Sequence, residues 1–93
     1  MIKSVSGSAT VQFLRQGKSR FSGLDEDLAK QRLADLNAAM SLRDLGSLNS
    51  VGLHKLRGSL SEFWSINVNA RWRIIFKFHD GNAYEVRITD THR

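Results

Sequence analysis

The stretch Phe63-Trp64-Ser65-Ile66-Asn67-Val68, followed by Arg71-Trp72-Arg73-Ile74-Ile75-Phe76-Lys77-Phe78, largely alternates apolar and polar residues. Ala83-Tyr84-Glu85-Val86-Arg87-Ile88-Thr89-Asp90 repeats the pattern. Side chains along a strand point to opposite faces in turn, so the period of two predicts three consecutive antiparallel strands with one apolar face. Leu53–Arg57 predicts a shorter fourth.

Register follows from the same pattern. A two-residue turn at Asp80-Gly81 would set Phe76 opposite Glu85 and Ile74 opposite Arg87. A shift by one residue pairs Phe78 with Tyr84, Phe76 with Val86 and Ile74 with Ile88. A one-residue slip reverses every side chain, so the apolar match predicts a three-residue loop or a bulge at Asp80-Gly81-Asn82. At Asn69-Ala70-Arg71 the match pairs Val68 with Trp72, Ile66 with Ile74 and Trp64 with Phe76. It also brings Asp90 beside Trp72. One face then carries Trp64, Ile66, Val68, Trp72, Ile74, Phe76, Phe78, Tyr84, Val86 and Ile88. The other carries Asn67, Arg73, Ile75, Lys77, Glu85, Arg87 and Thr89, with Ile75 as an exposed apolar residue.

The apolar face needs a cover, and the N-terminal half supplies it. Residues 2–5 predict a short strand, and residues 8–16 a short helix stopped by Gly17. A second helix over about 25–40 has Leu24, Leu28, Leu33, Leu36 and Met40 at helical spacing. Asp25, Glu26 and Asp27 suit the positive end of its dipole. Residues 41–52 predict a turn of helix, then loop. The fold class is α+β: two N-terminal helices packed on a small antiparallel β-sheet. With 93 residues, the expectation is one domain over 1–93.

The chain has no cysteine, so disulfides and thiolate metal sites are excluded. No signal-like N-terminus or membrane-length apolar run is present, so the expected location is cytoplasmic. A net charge of +5 favours polyanionic partners such as nucleic acid. The basic residues are divided evenly between the two halves, so a basic face must come from folding.

There is no phosphate loop, dinucleotide fingerprint or helical histidine pair. Of the three histidines, His79 falls in the predicted hairpin turn, where a solvated role is expected. His54 and His92 flank the sheet sequence; blandly, they are a strand-edge residue and part of a frayed end. Together with their neighbours they offer a chemistry. Metal-free RNA cleavage needs a base for a 2′-hydroxyl, an acid for the leaving 5′-oxygen, and a cation for the phosphate. Histidine transfers protons near neutrality, and arginine presents a fixed fork to phosphate oxygens. His54, Arg57, Arg73, Asp90 and His92 supply these parts if the sheet gathers them.

The ordered series Leu53-His54-Lys55-Leu56-Arg57-Gly58, Phe63 to Asn69, Arg71 to Phe76, Asp80 to Val86 and Asp90-Thr91-His92 closely resembles HigB-type toxins of the RelE/ParE superfamily. The opening Met1-Ile2-Lys3-Ser4 is similar too. The resemblance runs end to end and is most specific over 53–92. It implies a RelE-like fold and metal-independent endonucleolytic cleavage of mRNA in the ribosomal A site, with no cofactor. The family's proton-transfer histidines fall on His54 and His92, its basic phosphate-facing positions on Arg57 and Arg73, and its acidic residue on Asp90. A HigA-like helix-turn-helix antitoxin is the implied partner, with operator DNA bound through it, and no membrane.

Two positions depart from the family pattern. Arg57 stands where lysine is usual, which keeps a phosphate clamp and disfavours proton donation. Thr91 replaces a tyrosine, which could stack on a base where threonine cannot. Altered potency and codon preference are expected. Three alternatives share the charge: a ParE-like inhibitor of DNA gyrase without nuclease activity, a decayed toxin that binds only its antitoxin or operator, and a plain RNA-binding module.

Overall fold

The computed structural model describes residues 1–48 and 51–90. Helices α1 (Ser8–Gln16), α2 (Glu26–Ala38) and α3 (Leu42–Gly46) precede strands β1 (His54–Lys55), β2 (Trp64–Asn67), β3 (Trp72–His79) and β4 (Asn82–Asp90). The strands form one antiparallel sheet in the order β1-β2-β3-β4. The α+β expectation holds, with α3 as a third, one-turn helix. Residues 2–5 contribute only single bridges, Ile2 to Ala83 and Val5 to Val86, running parallel to β4.

The apolar face of the sheet forms the core with α1 and α2. Ile66, Ile74, Phe76, Val86 and Ile88 are buried against Phe13, Ala29, Leu33 and Leu36. Each such side chain removed from water contributes roughly 1.5–3 kcal/mol, which is why alternation decides the register. Polar staples fix the helices on this layer. Thr10 Oγ1 accepts from Ile88 N at 3.1 Å, and the buried Arg32 donates from Nε to Asn67 O at 2.9 Å. Asp25 caps α2 by accepting from Leu28 N at 3.0 Å.

Three expectations need correction. First, the hairpin keeps its two-residue turn: His79 pairs with Asn82, Phe78 with Ala83 and Lys77 with Tyr84. The register changes between Ile75 and Lys77, so Ile74 still meets Ile88. The extra residue is Glu85, at φ 52°, not a residue of the turn. Tyr84 therefore leaves the apolar face and Ala83 replaces it. Glu85 projects to Lys77 Nζ at 2.9 Å, and this hydrogen bond holds the ammonium above the ordinary lysine range.

Second, α2 ends at Ala38 because Ala39 turns extended, and Met40 is 82% exposed instead of lying on the helix's apolar face. Ser41 caps α3, and Asp44 Oδ2 accepts from Met40 N at 2.9 Å, so the local caps reset the chain there. Third, Ile75 is only 6% exposed. The face opposite the helices is a walled cleft, and Ile75 lines it.

Candidate active site

Loop Val51–Gly52 enters the sheet edge where Asn67 N donates to Val51 O at 2.7 Å. Gly52 has φ 63°, and a Cβ there would fall onto the Asn67 side-chain amide. Glycine is therefore required on both conformational and steric grounds. The turn leads directly into β1, where His54 pairs with Ser65 and Lys55 with Trp64. β1 stops at once, Leu56 N donates to Phe63 O at 3.0 Å, and Arg57 opens a single 3₁₀ turn over Gly58–Leu60. This short excursion forms one wall of the cleft. β3 and β4 supply the floor and the other wall.

The cleft has a volume of about 510 Å³. His54, Arg57, Arg73 and Asp90 all line it, together with Lys55, Leu56, Leu60, Ile75, Arg87 and Thr89. Four of the five site residues expected from sequence thus share one concavity. The fifth, His92, lies outside the described residues, as does Thr91. His79 is elsewhere: it is exposed at the end of β3, with its ring edge-on to Tyr84 at 5.2 Å between centroids.

His54 is the best-defined group. Its Nδ1 lies 3.0 Å from Gly52 O. A carbonyl can only accept, so Nδ1 carries the proton and the neutral ring keeps its lone pair on Nε2. That Nε2 lies 3.1 Å from the Ser65 hydroxyl, which is also 3.4 Å from Nδ1, and 3.4 Å from Arg73 Nη1. A proton acceptor and a phosphate-matching guanidinium are therefore adjacent on one face.

Register explains the meeting. Arg73 pairs with Asn67 and Thr89, Ile75 with Ser65 and Arg87, and Trp72 with Asp90. His54, Ser65 and Arg73 consequently project to the same side of three neighbouring strands. At the far end Asp90 Oδ2 forms an ion pair with Arg71 Nε at 3.2 Å. Among the described residues, no three His, Asp or Glu side chains converge as a metal ion requires.

The sequence reading named Arg87 on the polar face but gave it no role in the site, and it gave Ser65 none at all. Arg87 was signalled by its period-two spacing with Arg73-facing Thr89, since alternate β4 residues share the cleft side. Ser65 carried no signal beyond a small polar residue on the same face.

Comparison with known proteins follows the same lines. A family model described as the RelE-like toxin of type II toxin–antitoxin system HigB matches residues 8–92. The protein named Endoribonuclease HigB from Proteus vulgaris is 35% identical over 95 residues, covering 99% of this chain and all of that protein. Among solved structures, YafQ from E. coli strain BL21(DE3) superposes with a TM-score of 0.63 at 18% identity, covering 97% of this chain and 91% of that one. A mutant of YafQ from E. coli gives 0.62 at 20% identity, with the same coverage. The two structures support the fold.

Proposed function

The chain belongs to the HigB family of RelE-like toxins of type II toxin–antitoxin systems, and on that premise we propose that it is an endoribonuclease that cuts mRNA in the ribosomal A site without a metal. The observation that carries this reading is His54 Nε2 beside Arg73 Nη1 at 3.4 Å, in a cleft also lined by Arg57 and Asp90. The relative's name supplies the reaction class.

In the proposed reaction His54 Nε2 takes the proton of a 2′-hydroxyl. The 2′-oxygen attacks the adjacent phosphorus, and the bond to the 5′-oxygen breaks. His92, where the family's second histidine falls, protonates that leaving oxygen. Arg73 and Arg57 stabilise the charge that builds on the phosphate. Asp90 is the acidic member of the set. The cleft is open to solvent, with His54 and Arg57 both exposed. Such a surface holds flexible RNA poorly, and a ribosome that orients the strand would remove most of that cost.

Membership in the family implies an antitoxin partner. We propose a HigA-like helix-turn-helix protein, which also carries the complex to operator DNA, and a cytoplasmic location. No helix among the described residues is long and apolar enough to cross a membrane. The test is primer extension on mRNA from a translation extract. The wild-type chain should produce cuts at A-site codons, and His54→Ala and His92→Ala should each lower the rate by about 10²–10⁴-fold. Unchanged cleavage by His92→Ala, or inhibition of gyrase without any cut, overturns the assignment.

A further inference from the structure

We propose that Ser65 is the positioning residue for His54, an inference that rests on the acid–base reading above. Ser65 is fully buried in β2 between Trp64 and Ile66. A strand interior at that depth ordinarily takes an apolar or β-branched residue, because a buried hydroxyl without a partner is costly. Here the hydroxyl has a partner: its Oγ lies 3.1 Å from His54 Nε2, directly across the β1–β2 pair.

The geometry divides the work between two neighbours. Gly52 O accepts from Nδ1–H, and Ser65 Oγ lies 3.1 Å from Nε2 and 3.4 Å from Nδ1; with Nδ1 already donating to the carbonyl, the hydroxyl is left Nε2 as its acceptor. Together they hold the exposed ring by both nitrogens and select one tautomer, with the lone pair on Nε2. A hydroxyl can rotate, so Ser65 can also accept from Nε2–H once His54 has taken a proton. Only a hydroxyl at this position serves both protonation states, and serine is the smallest residue that supplies one. Ser65 is buried and acts on the reaction through the imidazole.

The test uses the full chain with ¹⁵N-labelled histidine. Long-range ¹H–¹⁵N correlations should find neutral His54 with Nδ1 protonated in the wild type. In Ser65→Ala the Nε2-protonated form should gain population, and A-site cleavage should fall about tenfold in kcat with KM within twofold. Ser65→Thr, which restores a hydroxyl, should recover most of both. Thermal melting checks that Ser65→Ala folds; the substitution removes one oxygen and leaves His54, an exposed residue, as its affected partner. An unchanged tautomer and an unchanged kcat in folded Ser65→Ala overturn the proposal. A tautomer shift in a chain that cuts no mRNA upholds the Ser65 contact and overturns the nuclease reading instead.

Discussion

Arg71 Nε holds Asp90 Oδ2 at 3.2 Å, across the β3–β4 pair at the open end of the cleft. Asp90 is the last residue of β4, so this contact ties down the end of that strand. Both side chains are partly exposed, and exposed pairs contribute little to stability.

Arg71→Ala should therefore leave thermal stability within about 1 kcal/mol of wild type. On the proposed reaction, in which Asp90 belongs to the site, its effect should appear in cleavage, as a loss of about tenfold, because misorientation costs rate even when the fold is intact. Differential scanning fluorimetry and primer extension on the same preparation separate the two. A large drop in melting temperature would mean that the pair is structural.

In the proposed reaction Arg73 offers two parallel donors to the phosphate, which lysine cannot reproduce. Arg73→Lys should lower A-site cleavage by about tenfold, and Arg73→Ala by about 10²–10³-fold, the usual effect of removing a donor aimed at developing charge. Equal rates for Arg73→Lys and wild type would reduce its role to bulk attraction.

Much of this site was legible from alternation. The pairing of Ile66 with Ile74, and of Ile74 with Ile88, follows from apolar matching, and it alone brings Arg73 to the cleft side. At Asp80-Gly81 the tight-turn signal and the apolar register conflict only if the extra residue must sit in the turn. The structure satisfies both, keeping the tight turn and absorbing the extra residue at Glu85, where no glycine marks it. Met40 continues the helical spacing, yet no glycine or proline ends α2; the stop comes from the cap at Ser41. Ile75 and Ser65 were hidden for a different reason. A period of two labels a face but not what stands over it, and here β1 and the 3₁₀ turn wall that face in. His92 lies outside the described residues, so its expected role stays part of the proposal.

Lys55, Arg57, Arg73 and Arg87 all line the cleft. If RNA lies along it, each phosphate contact releases counterions, and the slope of log affinity against log salt for a single strand is about −0.7 per contact. Arg87→Ala should make that slope shallower by about 0.7 and weaken binding of a short oligoribonucleotide, independently of sequence. Fluorescence anisotropy over a salt series measures both. A slope that Arg87→Ala leaves unchanged would place the strand away from β4.

Gly52 is the position at which backbone and chemistry meet. Its positive φ suits glycine, its missing Cβ leaves room for the Asn67 amide, and its carbonyl accepts from His54 Nδ1–H. Gly52→Ala strains the turn and pushes against Asn67 together, and should destabilise by about 1–3 kcal/mol. Asn67→Ala relieves the steric part and leaves the φ penalty. The double variant should therefore recover a portion of the stability lost by Gly52→Ala, a coupling that a thermodynamic cycle reads directly. Cleavage should stay low in both glycine variants, because the carbonyl that orients His54 has moved. Recovery of activity along with stability in the double variant would mean that the Gly52 carbonyl does not set the ring.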